Sequence, residues 1–562
     1  MRMGKRGMTS LLLIIMSLVL ILAGCSNNGN NSGAANANEQ SSNSGTSNAS
    51  DEGGEEPSES KSGFGVDPLE FSFYGHYDWY TMPNWGEDLA TKWIKENKKV
   101  NVTPINSGGN AKQKMITMIA SEELPDVIWM DRGPDVEKLR AAGMLVPYDD
   151  YLDKYPNLRK WAGDSTLNML RSPDGKLYQF PNWYTSQPNG NAGYLVNKKI
   201  YEDLGSPSLE TTEDFYNYLK LVKEKYPDVV PFEVGIGAEG FDVLNSAFAE
   251  NYPNLFASAG FMAVPRDGKM TSVFTDPVFR ESLVFQNKLY REKLATQDAF
   301  TQKREQVEQK ILTGKAAVFA ASSPTEFGAI GNSVLKQEDP NAGYIMVWPI
   351  HKQGLDRNKI YPGTFNQLGW NVSVITKAAK DPEAIFAFLD WFTGPEGQRT
   401  IMWGPPGLYW DGVDADEAPL FTEKFTSDLE GRDALMNSTV NFQWNGNTVY
   451  VDTSKSKFEM TLPEEKRNWE TKWQSEITWK TQFNVTEFVN LAPAGDSEEG
   501  IIAQGMFDLF EEVRAKAITN AKSESEVLAI LDQAEKDAQK LGYDKLLEYK
   551  TKRWQENLDM IK

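Results

Sequence analysis

Between Leu69 and Trp129 the chain alternates strand and helix patterns, and this constrains its fold more than any other feature. Leu69-Glu70-Phe71-Ser72-Phe73-Tyr74 alternates with period two and reads as a strand. Trp85, Leu89, Trp93 and Ile94 then fall on one helical face. Val100-Asn101-Val102-Thr103-Pro104-Ile105 reads as a second strand, and Met115, Ile116 and Ile119 mark the helix after it. Leu124-Pro125-Asp126-Val127-Ile128-Trp129 enters a third strand. Strand, helix, strand, helix, strand builds a parallel sheet covered by helices, so the fold class is α/β.

Later segments continue the theme. Gln302–Thr313 has the pattern of a polar amphipathic helix closed by Gly314, and Lys315–Ser323 that of an apolar, small-residue strand. Tyr344–Ile350 and Asn371–Thr376 read as further strands. Asp381-Pro382-Glu383 combines a cap, a first-turn proline and an acidic first turn, which starts a helix. Ile385, Phe386, Leu389 and Phe392 give that helix a buried face, and Gly394-Pro395 stops it. After about Glu464 the chain is mostly helical. One of these helices starts at Ser523, carries Val527, Leu528 and Leu531, and ends at Gly542.

The N-terminus addresses the chain. Arg2, Lys5 and Arg6 precede an apolar run from Leu11 to Gly24, 14 residues broken only by Ser17. A bilayer-spanning helix needs about 20 such residues, so the basic flank, apolar middle and small-residue exit read as a secretory signal over 1–24. The exit, Leu22-Ala23-Gly24-Cys25, resembles the bacterial lipobox, and Cys25 is the only cysteine of 562 residues. The resemblance implies cleavage before Cys25 and lipidation of its thiol and new amine. From Ser26 to Gly63 there is no aromatic residue and no Ile, Leu or Val. A segment of that composition cannot offset its ordering entropy, so 25–63 is expected to be a disordered tether. The expected location is the extracellular face of the cell membrane, where several acyl chains make a stable anchor.

Composition narrows the function. The signal takes three positive charges and no negative ones from a net −21, leaving −24. That balance argues against nucleic acid and against docking on anionic lipid. With no cysteine after Cys25, folding outside the cell rests on core packing. A body this long exceeds a single core, so at least two domains are expected. Histidine occurs only at positions 76 and 351, which disfavours a zinc site and a Ser-His-Asp triad. The 16 tryptophans leave room for an aromatic binding surface beyond what the core takes.

Several stretches resemble the extracellular solute-binding proteins of sugar ABC importers, above all the large oligosaccharide-binding lipoproteins. They are Ala120-Ser121-Glu122-Glu123-Leu124-Pro125-Asp126-Val127, Ala142-Gly143-Met144-Leu145-Val146-Pro147-Tyr148-Asp149-Asp150 and Asp174-Gly175-Lys176-Leu177-Tyr178-Gln179-Phe180-Pro181. Asp381–Trp410, with Pro395-Glu396-Gly397-Gln398-Arg399 and Trp403-Gly404, is the most specific, and Ser523–Lys562 fits the closing helices. The resemblance implies a two-lobed, periplasmic-binding-protein-like fold with discontinuous lobes, an interlobe cleft and a helical C-terminal part. Lobe 1 is expected over 64–194 and 320–368, and lobe 2 over 195–319 and 369–562. Crossings are expected near Asn191–Leu195, Val318–Ser322 and Gln367–Asn371, with closure about them. Two departures stand out. Relatives carry an Asp/Asn-rich calcium loop after the helix matching Glu213–Lys225. Here Lys225-Tyr226-Pro227-Asp228-Val229-Val230-Pro231 offers one carboxylate where calcium needs six or more oxygens. No calcium, other metal or cofactor is expected. Relatives read Trp-Gly-x-Glu-Gly where this chain has Trp403-Gly404-Pro405-Pro406-Gly407.

A sugar packs its C–H face on an aromatic ring and offers a rim of hydroxyls. Each hydroxyl left unpaired on burial costs about 1–3 kcal/mol. The candidate contacts are therefore aromatic residues beside amides, acids and hydroxyls at strand ends. After the first strand stand Trp79 and Tyr80 with Asn84 and Trp85, the last serving equally well as a core anchor. Asp131 follows the third strand, where Trp129 reads as core. Trp183 and Tyr184 precede a crossing, Ser322 and Glu326 follow the small-residue strand as contacts or a plain turn, and Gln367 and Trp370 lie at the last crossing. In the family an aromatic at the last of these stacks on the ligand. Trp403 and Tyr409 complete the set, while Trp469, Trp473 and Trp479 read as a packing face. No catalytic pair is marked among the 79 acidic residues. The leading reading is a monomeric, non-enzymatic receptor that passes an oligosaccharide to ABC permease subunits. An anchored carbohydrate-active enzyme, or a binder of a non-sugar solute such as a peptide, remains the alternative.

Overall fold

The computed structural model describes residues 64–463 and 466–561. The signal, Cys25 and the tether lie outside the described residues. Two sheets organise the body. The first contains β1 (Leu69–Gly75), β2 (Val100–Ile105), β3 (Val127–Asp131), β4 (Phe180–Asn182) and β12 (Asn371–Ile375), in the order β2-β1-β3-β12-β4. β1 pairs in parallel with β2 and with β3, and β12 runs antiparallel between β3 and β4. The second sheet has β5 (Gly193–Asn197), β6 (Val230–Glu233), β9 (Ala316–Ala321) and β10 (Tyr344–Val347), in the order β10-β5-β9-β6. Smaller pairs are the hairpin β7 (Ala263–Arg266) with β8 (Lys269–Ser272), β13 (Trp410–Val413) with β14 (Pro419–Phe421), and β11 (Gly363–Phe365) with β15 (Gln482–Asn484).

Local sequence explains the elements. In β1, Leu69, Phe71 and Phe73 are buried while Glu70 is exposed. Asp88 caps helix Leu89–Lys98 by accepting from the Ala90 and Thr91 amides at 2.9 Å. Asp381 caps helix Pro382–Thr393 through the Ala384 amide, 2.9 Å away. Helix Glu524–Leu541 starts at Ser523 and stops at Gly542, whose φ of 92° only glycine adopts cheaply.

Each sheet has its own core, one built on Phe71, Phe73, Ile128, Val374 and Phe388, the other on Tyr194, Phe232, Phe241, Leu283 and Phe510. These are the two lobes, and their membership corrects the expected boundaries. Segment 320–368 carries β10, which belongs to the second sheet; β12 belongs to the first, so the chain from 369 to helix Thr448–Glu459 returns to lobe 1. The expected crossing at Val318–Ser322 is not one. β9 stays inside the second sheet between β5 and β6, where its alanines leave space for packing on both faces. The actual crossings run from β4 to β5, from β10 to β12, and from Thr448–Glu459 to helix Trp469–Glu476. In that last helix the Trp469 indole donates to the Tyr344 carbonyl at 2.9 Å. The closing helices Glu498–Thr519, Glu524–Leu541 and Tyr543–Ile561 pack on lobe 2.

Among the described residues no helix is long and apolar enough to cross a membrane, and no group of three or more His, Cys, Asp or Glu is placed to hold a metal.

Candidate functional site

β1 and β3 end at Gly75 and Asp131. Because β12 runs the other way, its first residue, Asn371, sits at the same edge, opposite Asp131 and Asn182. Ligands of open α/β sheets lie outside the carboxyl ends of the strands, and here that edge faces the first two crossings.

The turn after β1 is pinned from several sides. Ser107 donates its hydroxyl to the Tyr77 carbonyl at 2.8 Å, and Asp78 accepts from the Ala111 amide at 2.7 Å. Gly75 leaves room for the Tyr80 ring, since a Cβ there would lie 2.0 Å from a ring carbon. Tyr80 therefore folds inward, its hydroxyl accepting from the Trp444 indole at 2.8 Å, and Trp79 is left 62% exposed. On β12's side, Gly369 has φ 71° and lies so close to the Asn182 carbonyl that a Cβ would meet it at 1.9 Å. That approach holds Trp370 at the edge, 45% exposed.

Four rings meet there. Tyr77 stacks on Trp79 with centroids 5.1 Å apart, and Trp129 meets Trp370 edge-on at 5.4 Å. Trp79 and Trp370 lie 6.4 Å apart with planes 30° from parallel. Trp129 is the buried floor, its indole donating to Asn371 Oδ1 at 2.9 Å, where Asn182 Nδ2 also donates at 2.7 Å. A polar rim borders the rings. Tyr77 donates its hydroxyl to Asp131 Oδ1 at 2.8 Å. Burial first, then that hydrogen bond, push the Tyr77 pKa far up, so the phenol stays a donor. Burial lowers the pKa of His76 against the pull of Asp135, Asp131 and Asp78. The Arg132 guanidinium has lost solvent, which draws its pKa down to about 10; its Nη1 donates to Asn490 Oδ1 of lobe 2 at 3.1 Å.

The remaining candidates separate. Trp85 is core: its indole donates to the Val100 carbonyl at 2.9 Å, at the start of β2 and so at the far end of the sheet, and Asn84 beside it bonds Glu87. Tyr80 and Tyr184 are also core, the latter with its hydroxyl 2.7 Å from Thr393 Oγ1. Trp403 and Tyr409 are buried, packed edge-on against Phe421 and bonded to Asp428 respectively. These five cannot offer a ring face to a solute without unpacking. Trp183 is half-buried at the first crossing with its ring against Gly446, and Gln367 joins the first two crossings, its carbonyl accepting from the Thr185 amide at 3.4 Å while its own backbone N–H donates to Thr486 Oγ1 at 3.0 Å. Ser322, at the end of β9, donates to Glu239 from its amide and its hydroxyl (3.0 and 2.7 Å). Glu326 pairs with Arg304 at 2.6 Å. Trp469 and Trp473 pack on lobe 2 as expected. Arg132, Asn371 and Asn490 went unmarked in the sequence, because no local pattern distinguishes them.

Residues 81–399, more than half of the chain, match the family described as bacterial extracellular solute-binding protein. The chain is 24% identical over 348 residues to lipoprotein LipO of Bacillus subtilis (strain 168), covering 58% of this chain and 63% of that one. It is 26% identical over 313 residues to the melibiose/raffinose/stachyose-binding protein MelE of the same organism, covering 53% and 66%. It thus spans less than two thirds of either relative. In fold it is similar to the S. pneumoniae ABC-transporter substrate binding protein FusA in complex with kestose. That likeness has a TM-score of 0.63 at 20% identity and covers 87% of this chain and 99% of that one.

Proposed function

The chain belongs to the bacterial extracellular solute-binding protein family, and on that premise we propose that it captures an oligosaccharide between its lobes and delivers it to the permease of an ABC importer. The carrying observation is the pair of exposed, near-parallel indoles, Trp79 and Trp370, at the cleft edge of the first sheet. Solvent-exposed indoles standing together are costly unless something covers them, and a sugar's C–H face fits. Tyr77, Asp131 and Arg132 border them with a donor, an acceptor and a cation, the mixture that a rim of hydroxyls needs. MelE binds melibiose, raffinose and stachyose, and FusA forms a complex with kestose, which supports a sugar over a peptide.

In this reading the protein binds its solute and returns it unchanged. Lobe closure links loading to docking on the permease. Cys25 carries the lipid that keeps the protein on the outer face of the cell membrane, as the lipobox-like sequence suggests. Thermal-shift screening against a panel of oligosaccharides, followed by calorimetry on the hits, tests the proposal, since a solute bound only by the folded state raises Tm. A panel of plant, fungal and bacterial oligosaccharides that leaves Tm unmoved, with a peptide library that raises it, would overturn the reading.

A further inference from the structure

The first crossing, between β4 and β5, runs past two helices that pack together from opposite lobes, Thr448–Glu459 of lobe 1 and Trp469–Glu476 of lobe 2. Gln187 of the crossing donates to Thr453 on the first helix at 3.4 Å, and Asn191 accepts from Gln474 Nε2 on the second at 2.8 Å. Asn191 also donates to Ser323, just past the end of β9, at 3.5 Å. Gln474 Nε2 reaches Glu470 Oε1 as well, at 3.3 Å, and Thr325 on helix Pro324–Glu338 donates to the same oxygen at 3.1 Å. These donors have acceptors, but acceptors are left over. Gln474 is 7% exposed, and its buried Oε1 has no donor. The second oxygen of Glu470 and both oxygens of Asp452 accept no hydrogen bond among the described residues, and neither carboxylate has an ion pair there. Loss of solvent lifts the Asp452 pKa to about 6; Lys455 on its own helix opposes the rise, and Glu470 on the facing helix adds to it.

We propose that this corner between the lobes takes the protonated amine of an amino sugar, with Asp452 as its charge partner and Glu470 and Gln474 as further acceptors, so that the solute is an amino-sugar-containing oligosaccharide. The inference rests on the oligosaccharide reading and narrows it. Ionised carboxylates and an amide oxygen can only accept, so whatever satisfies them must donate. A buried acceptor without a donor is costly, which makes the orphaned Gln474 oxygen a mark of something that comes to it. A sugar hydroxyl donates once, whereas an ammonium donates three times and also carries charge. Charge decides between them: two carboxylates face this corner against the single cation Lys455, and a desolvated carboxylate is stabilised by a paired cation far more than by a neutral hydroxyl. The chain's net charge of −21 favours the approach of such a solute. The indoles of lobe 1 would then recognise a sugar ring, and this corner the charge that one ring bears.

The test uses the full chain and pairs of oligosaccharides alike in linkage and length, one member deacetylated and the other N-acetylated, in thermal shift and then calorimetry. The expected result is that the deacetylated member of a binding pair binds roughly tenfold more tightly at about pH 7, the worth of one hydrogen bond to a charged group. The preference should shrink at about pH 5, where Asp452 is protonated and the amine still charged. Asp452→Asn should remove the preference and leave the affinity for the N-acetylated member in place, and Glu470→Gln should move it in the same direction. Trp370→Ala should weaken both members alike. Melting curves establish that each variant is folded. N-acetylated or uncharged sugars that bind as tightly as the deacetylated ones, or a preference that survives in both Asp452→Asn and Glu470→Gln, would overturn the amine subsite and leave the oligosaccharide reading standing. A lysine-rich peptide that raises Tm where no sugar does would overturn both.

Discussion

Truncating Trp370 to alanine separates a binding surface from a packing surface. Its indole is 45% exposed in the free protein. Of an aromatic side chain's roughly 250 Å², that leaves about 110 Å² open to solvent. A sugar stacked on the ring covers between half and all of it, which at about 25 cal/mol per Å² is worth roughly 1.5–3 kcal/mol. Trp370→Ala should therefore weaken binding by roughly ten- to a hundredfold. The cost to the fold should be small, because nearly half of Trp370 is exposed and its ring meets Tyr77 at a tilt, Trp129 edge-on and Trp79 at a 6.4 Å spacing. Trp129 supplies the contrast. It is 5% exposed and donates to Asn371, so Trp129→Ala should cost about 3–5 kcal/mol of stability. Calorimetry with the best solute of the panel and melting curves on both variants give the comparison. Unchanged affinity in Trp370→Ala together with a sharply lowered Tm would show that the ring serves packing, and the stacking argument would fail.

Elements were legible wherever the cause was local. The alternation of β1, the Asp381-Pro382 cap and the stop at Gly542 each depend on a handful of adjacent residues, and all three stand as read. Sheet membership was not legible, because it depends on partners far along the chain. Nothing within Asn371–Ile375 says that it will insert between β3 and β4, which lie some 190 to 240 residues earlier. That insertion moves everything from 369 to Glu459 to the other lobe. The site shows the same limit at the scale of single residues. Trp79 and Tyr80 are adjacent aromatics with opposite fates, and the choice is made by the absent side chain of Gly75 and by Trp444, far along the chain. Trp85 is taken out of contention by a carbonyl at the start of β2. An aromatic-rich cluster thus marks the right loop, but long-range packing selects which ring faces outward.

Three more outcomes follow. Cys25→Ser should abolish incorporation of an alkyne fatty acid and release the protein or leave its precursor uncut; equal labelling in both proteins would end the lipid-anchor reading. Chelator should leave solute affinity unchanged, since Lys225–Pro231 offers a single carboxylate; a large loss would reveal a metal site. The last concerns Lys550, which is 3% exposed on helix Tyr543–Ile561 and donates to the Phe261 carbonyl. Burial lowers its pKa from 10.5 to about 8. The unfolded chain therefore holds the extra proton between about pH 8 and 10.5, so this residue makes stability rise with pH across that window, and its full cost is felt below it. The displacement is worth about 3 kcal/mol. Lys550→Met should lack the rise and should gain less than that amount at neutral pH, because the Phe261 carbonyl loses its donor. Denaturant melts of both proteins at about pH 7 and about pH 10 check the sign, and parallel changes in the two would show that the lysine is not charged at a cost in the folded state.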